Sequence, residues 1–210
     1  HKDGLEGKCF FFIDEKRQSR IESNFDPEVW DLLKNSETTY SKSLSDNLRN
    51  TKPIIDEVYE LLNVKLEKPK NGSGRKPEII DANSTEDIIG EVKEILKKLH
   101  NDSISPRDIT LISSNKIELL DVIEGEKFKY EISKDFDSSD MCIKIASTKE
   151  IKGLETKVAI VIEVGSIWEK DIEEIREHLY VATTRGRVDF KLITKKKDLE
   201  DFIQKVKEIE

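Results

Sequence analysis

The chain has 210 residues, 36% hydrophobic and 38% charged, a length that suits one domain or one and a half and an apolar fraction sufficient for a real core. Its formal net charge of −8 argues against a protein that coats nucleic acid without specificity, since a polyanion is bound by clustered cations, but leaves room for a local cationic groove. No stretch approaches the roughly 18 to 20 apolar residues that cross a bilayer, so no membrane partner is expected.

In chain order, HKDGLEGK lacks the apolar core of a signal peptide, which leads to the expectation of a cytoplasmic location. KCFFFID, 8–14, predicts a buried strand that carries Cys9. Asp26 before Pro27 reads as an N-cap with proline at the first helical position, opening a helix over 27–35. TTYSKSL, 38–44, predicts a strand, and a helix follows over 52–63. KPKNGSGRKP, 68–77, has two prolines, two glycines and no apolar residue, and reads as a linker or a surface loop. PEIIDA, 77–82, is strand-like. STED at 84–87 sets Ser84 three residues before an acid, a capping box that opens a helix over 85–100.

Further strands are expected at 108–114, 128–133, 142–148, 157–164 and 189–194, with helices at 115–122, 170–184 and 197–208. This alternation indicates an α/β domain with a largely parallel sheet. Cys9 and Cys142 lie in apolar runs far apart, which reads as reduced core thiols. His1, His100 and His178 form no ligand pattern, so no metal is assigned. Near the end the charge is uneven. WEKDIEEIREH is acidic, whereas RGRVDFKLITKKK carries Arg185, Arg187, Lys191, Lys195, Lys196 and Lys197, read as two solvated faces.

Ile172, Ile175, Leu179 and Ala182 form one helical stripe that Gly186 continues, so this helix packs closely at its far end, with Arg185 on the flank. A cation there either balances the negative pole of the helix or is aimed at an anion held elsewhere. In open parallel sheets ligands bind outside the carboxyl ends of the strands, which directs attention to element ends.

The stretch STKEIKGLETKVAIVIEV, 147–164, followed by an acidic helix and LYVATTRGR, 179–187, resembles motifs V and VI of superfamily 1 helicases of the UvrD/Rep type. LSDNLRNTKPIIDEVYEL, 44–61, looks like motif IV, and FFFIDEKRQSRI, 10–21, is similar to motif III. The order and spacing look closest to helicases associated with nuclease-related (NERD) domains and to the Schlafen-like group. The resemblance spans nearly the whole chain and is strongest over 142–194.

The resemblance implies a RecA-like second domain of a P-loop NTPase, mainly a parallel sheet with helices on both faces. It implies ATP and Mg2+ as cofactors, bound mainly by an N-terminal Walker A domain. No G-x-x-x-x-G-K-[ST] occurs in this chain. The chain is therefore expected to be the C-terminal portion of a longer protein. Residues 1–25 would be the tail of the first RecA-like domain, 26–67 a helix–strand–helix unit with motif IV, 68–77 the linker or loop, and 78–210 the domain with motifs V and VI.

On the same ground, Arg185 is the expected arginine finger and Arg49 a second cation, both catalytic. Gly153, Glu155 and Gln18 would bind ATP, with Glu155 on the ribose hydroxyl. Ser147, Thr148, Lys149 and Lys152 would grip a single strand of DNA or RNA on the opposite edge. Trans-cleft arginines of this kind supply on the order of 10³ to 10⁵ in rate in well-studied phosphoryl-transfer systems. Arg187 would brace the helix end or pair with an acid, and Arg49 has the alternative of an ion pair within its own loop.

Three departures from the family pattern stand out. Arg17, not Gln18, is three residues after Asp14. Lys149 stands where a histidine is usual, and it reaches phosphate but cannot stack. Gly186 replaces a frequent alanine, read as a small structural change. The expected function is the C-terminal motor domain of an ATP-dependent helicase or translocase, inactive by itself, whose partners are a single strand, the rest of its own chain and a nuclease partner or domain. The alternative is a degenerate RecA-like interaction module without ATPase activity. A small-molecule α/β enzyme ranks below both, because no Ser/His/Asp or Cys/His set appears.

Overall fold

The computed structural model describes residues 26–37, 39, 40, 46–135 and 141–209. The first helix, α1 (Pro27–Lys34), starts as its sequence requires. Asp26 accepts hydrogen bonds from the backbone N–H groups of Glu28 and Val29 at 2.9 and 3.2 Å. Strand β1 (Asp46–Thr51) then runs directly into α2 (Lys52–Leu62), and β2 (Lys68–Asn71) pairs with β1 in parallel. Neither short strand was expected, and β2 occupies the first part of the stretch read as a linker. Its Lys-Pro-Lys-Asn sequence has no alternating apolar pattern to announce it. The strand expected at 38–44 and the one at 8–14 lie largely or wholly outside the described residues.

The remaining elements agree with expectation except that the strand expected at 128–133 is reduced to two residues and the last strand begins at Gly186, so that Gly186 does not continue the helical stripe. They are β3 (Glu78–Asp81), α3 (Thr85–Asn101), β4 (Ile109–Ser113), α4 (Lys116–Ile123), β5 (Ile132–Ser133), β6 (Ile143–Ser147), β7 (Thr156–Glu163), α5 (Ile172–Thr184), β8 (Gly186–Thr194) and α6 (Lys196–Ile209). Single 3-10 turns at Pro106–Asp108 and Ser166–Glu169 precede β4 and α5. The capping box is formed in full. Ser84 Oγ accepts from Asp87 N–H, and Asp87 accepts from Ser84 N–H, a reciprocal arrangement in which the Ser84 side chain contributes about 1 kcal/mol.

Six strands make one sheet in the order β3-β8-β7-β4-β6-β5, and every pairing between them is parallel. The steps from β3 to β4 and from β4 to β5 move toward one edge and carry α3 and α4. The steps from β6 to β7 and from β7 to β8 move back, and carry residues 148–155 and α5. Crossovers between parallel strands are right-handed, so reversing direction puts the connections on the other face. Helices consequently cover both faces, as expected.

Alternation along each strand feeds two cores. Ile112, Ala146, Ala159, Val161, Phe190 and Leu192 point to α2, α5 and α6. Ile109, Leu111, Ile143, Ile145, Val158 and Ile160 point to α3 and α4. The expected stripe of α5 joins the first core, with Ile175, Leu179 and Ala182 buried and Ile172 packed at its border. No helix among the described residues is long and apolar enough to cross a membrane.

Candidate functional site

The amino edge of the sheet is where three distant segments meet. Gly153 takes φ = 83°, a left-handed conformation that glycine adopts without steric cost, and so turns the chain from residues 148–152 into β7. Thr156 N–H then donates to Arg185 O at 3.0 Å, which sets Glu155 beside the junction of α5 and β8. From the other side, Asn50 Nδ2 donates to Thr184 O at 2.9 Å and to Gly186 O at 2.8 Å, pinning β1 to the same junction. Asn47 Oδ1 accepts from Arg49 N–H and Asn50 N–H at 3.0 and 2.9 Å and holds the Asn-Leu-Arg step in shape.

The result is a four-residue cluster. Glu155 lies 3.6 Å from Arg49 Nε and 3.2 Å from Arg187 Nη1. Arg49 thus finds its acid in a distant segment rather than in its own loop, and Arg187 pairs with an acid. Arg185 is not the solvated cation that its position at the helix end suggests, for it is 1% exposed. Its Nε donates to Val181 O at 3.1 Å and its Nη1 to Leu154 O at 3.2 Å, tying the helix end to the turn that carries Glu155. Arg187 and Glu155 are open by comparison, with side chains 54% and 45% exposed.

Gly186 departs from the sequence reading. A Cβ there would stand 2.4 Å from Asp189 O, so alanine at this position is not a small change in this chain. Lys191 departs as well, because it is buried on β8 with Nζ 2.7 Å from Glu78 and 3.0 Å from Asp189, and so belongs to no solvated face. Burial pushes the carboxyl of Asp189 above the usual range, against the pull of Lys191.

At the carboxyl edge stand the residues expected to contact a strand. Ser147 N–H donates to Glu150 at 2.7 Å and Ser147 Oγ at 3.0 Å, and Lys116 Nζ holds the other oxygen of Glu150 at 2.8 Å. Burial pushes Glu150 up, yet these bonds outweigh it and keep the carboxyl below its ordinary range. Lys149 is exposed and Lys152 half-buried. Thr148 is fully buried and turned inward, with Oγ1 2.6 Å from His178 Nδ1 on α5, which takes it off the surface expected of it. Glu174 lies 3.7 Å from His178 Nε2, and desolvation holds this imidazole below its usual pKa.

Two features escaped the sequence reading. His178 showed no ligand pattern, and its partner Thr148 comes from 30 residues away. Glu163, the last residue of β7, is buried and accepts from Ser114 N–H at 2.7 Å and Ser114 Oγ at 2.6 Å, and burial pushes its carboxyl up to about 8. An acid that ends an otherwise apolar strand, KVAIVIE, was the available signal. Gln18 and Asp14 lie outside the described residues. Among the described residues, no group of three or more His, Cys, Asp or Glu side chains is placed to hold a metal.

A scan against protein-family models and a search of curated proteins give no match to this chain. Among solved structures, the chain is similar to the C-terminal domain of a possible DNA helicase from Lactobacillus plantarum WCFS1. The likeness has a TM-score of 0.55 at 18% identity, and covers 71% of this chain and 88% of that one. At that identity the likeness is one of fold: an α/β domain with a parallel sheet flanked by helices, of the RecA-like kind.

Proposed function

We propose that this chain is the second motor domain of an ATP-dependent helicase or translocase of superfamily 1, working with a phosphate-loop domain that holds most of the ATP and the Mg2+. The observation that carries the reading is the meeting of Arg49, Glu155, Arg185 and Arg187, drawn from the stretches that resemble motifs IV, V and VI, at one edge of the sheet. The donor set fits the phosphate end of a nucleotide, because guanidinium groups present planar forks that match phosphate oxygens. A bound nucleotide would supply the hydrolysable phosphate. Arg49 and Arg187 would be drawn from Glu155 toward its oxygens, while Glu155 keeps a ribose hydroxyl within reach. Arg185 fixes the helix end and the Glu155 turn in register, and as the finger its remaining guanidinium edge would face the phosphates.

Lys149, with Ser147, lies at the other edge of the sheet, and both are proposed to contact a single strand together with Lys152 of the same connection. The eight residues 148–155 connect that edge to the nucleotide edge, with Ile151 buried as their anchor. A shift of the strand-side loop would thereby move Glu155.

The burial of Arg185 favours a second reading, an interaction module that no longer supports hydrolysis. Assaying the protein together with its phosphate-loop domain separates the two. On the motor reading, Arg185→Lys keeps most nucleotide affinity but loses most of the ATPase, by on the order of 10² to 10³ in kcat, because lysine retains charge but not the multi-donor fork. Arg187→Lys is milder, and Lys149→Ala weakens strand binding more than basal hydrolysis. Thermal melts run alongside must show a folded protein, since lysine cannot make both of the arginine's main-chain bonds. A folded Arg185→Lys protein that hydrolyses ATP at the parent rate excludes the finger, and no hydrolysis in the parent supports the interaction module.

A further inference from the structure

One side chain closes the junction of α5 and β8. Thr184 O belongs to the last turn of α5, where no later helical N–H reaches it, and Gly186 O lies on β8 ahead of the stretch that pairs with β3, which begins at Lys191. Asn50 Nδ2 donates to both carbonyls, and the Asn50 side chain is buried. Its carboxamide has a single workable orientation. Oδ1 accepts from Asn47 Nδ2 at 3.2 Å, and carbonyls can only accept, so Nδ2 must face the junction. Arg185, between the two carbonyls, is thereby bracketed by one residue of β1.

A second hold backs the bracket. Thr51, the next residue, packs on Gly74 so closely that a Cβ there would stand 2.2 Å from Thr51 Oγ1 and 2.6 Å from Thr51 Cβ. Arg75 then donates its main-chain N–H to Val188 O at 3.2 Å and pairs its guanidinium with Asp102. The stretch 72–77, read from the sequence as a linker or loop, thus acts as a strap that presses the end of β1 against the start of β8.

Arg49 precedes the bracket by one residue, and it meets Glu155 with both side chains open to solvent, 35% and 45% exposed. Ion pairs at that exposure contribute about 1 kcal/mol or less, too little to draw a strand into place. The buried bonds of Asn50 deliver Arg49 to the acid, rather than the acid attracting Arg49.

We infer that Asn50 is a positioning residue of the nucleotide edge, which sets Arg49 beside Glu155 and in register with the arginines of the α5–β8 junction. This role deepens the motor reading and rests on it for any effect on hydrolysis, whereas the placement of Arg49 is a property of this chain alone.

The side-chain Nε–H resonances of Arg49 and Arg187 in the chain test the placement. Glu155→Gln is expected to shift both in the parent but Arg187 alone in an Asn50→Ala background. Asn50→Ser, which keeps one donor and guards against a variant that fails to fold, should give an intermediate Arg49 response. Arg75→Gln loses the ion pair to Asp102 but keeps the main-chain bond, and should respond like the parent. An Arg49 response to Glu155→Gln that is the same with asparagine, serine or alanine at position 50 overturns the inference. With the phosphate-loop domain present, Asn50→Ala should lower kcat by about tenfold to 10², more than it weakens nucleotide affinity. Adding it to Arg49→Ala should cost little further activity, because a residue that acts through Arg49 then has nothing to position. Losses that simply multiply would also overturn the role. A parent without ATPase in that assembly sinks the motor reading, and the arginine resonances still decide whether Asn50 places Arg49.

Discussion

Single residues in this domain are held by few and specific contacts, and the buried carboxyl of Glu163 makes the stability of the fold depend on pH. Burial raises its pKa from 4.5 to about 8, so at neutral pH the folded chain holds a proton there that the unfolded chain has released. The sign comes from linkage: the stability contributed by this proton is fully present below about pH 4.5 and is lost as pH rises through about 8. Denaturation between pH 5 and 9 should show a falling contribution in the parent that Glu163→Gln removes; parallel pH profiles for the two proteins would refute the assignment. Gly186 is a second such residue. A Cβ 2.4 Å from Asp189 O forces a main-chain shift, so Gly186→Ala should lower stability by about 1–3 kcal/mol in a denaturant titration, although alanine is the better residue in an ordinary strand.

At the scale of elements, α5 is the connecting rod of the domain. His178 near its middle holds Thr148 at the carboxyl edge, and Arg185 at its end holds the Glu155 turn. The seven steps from His178 to Arg185 span about 10 Å at 1.5 Å each. The β1–β2 pair is attached to the end of this rod and the start of β8 by the two bonds of Asn50, whose side chain is buried, beside the core packing of α2 on α5. Asn50→Ala should cost about 1–3 kcal/mol, since two buried carbonyls lose their donor. Hydrogen exchange should rise in β1 and β2 and at Arg185 and Gly186 more than in β4 or β6, and uniform loss of protection would contradict the local attachment. Elements of this kind were legible where their signals were local. Asp26, Ser84 and the α5 stripe each predict what is seen. β1 and β2 were not, because a pair of short strands rich in Asn, Lys and Pro is held by its neighbours rather than by its own periodicity.

For the whole molecule, the two edges of the sheet carry two different groups, the Arg49–Glu155–Arg187 cluster on one and the Ser147–Glu150 turn on the other. On the proposed motor reading the ATP site is completed between domains and one half has no activity, so the purified chain should show ATP hydrolysis no faster than buffer, measured by phosphate release with and without oligonucleotide. Turnover by the chain alone would move the active site off the proposed cleft. The RecA-like architecture was legible from the alternation of strands and helices, because buried parallel strands read as apolar runs wherever they occur.

What the sequence determined by itself was the type and extent of nearly every element from residue 78 onward, the caps that start α1 and α3, and the order of the helicase-like stretches. These depend on side-chain period, proline and capping chemistry, all of which act within a few residues. Only the tertiary structure decided that Arg185 is buried, that Thr148 faces His178, that Lys191 lies between two acids and that Glu155 serves both Arg49 and Arg187. It also decided which edge each group occupies. These facts depend on strand order and register, which bring residues as distant as Arg49 and Glu155 within 3.6 Å, and no local pattern of charge records which neighbour a long side chain will meet.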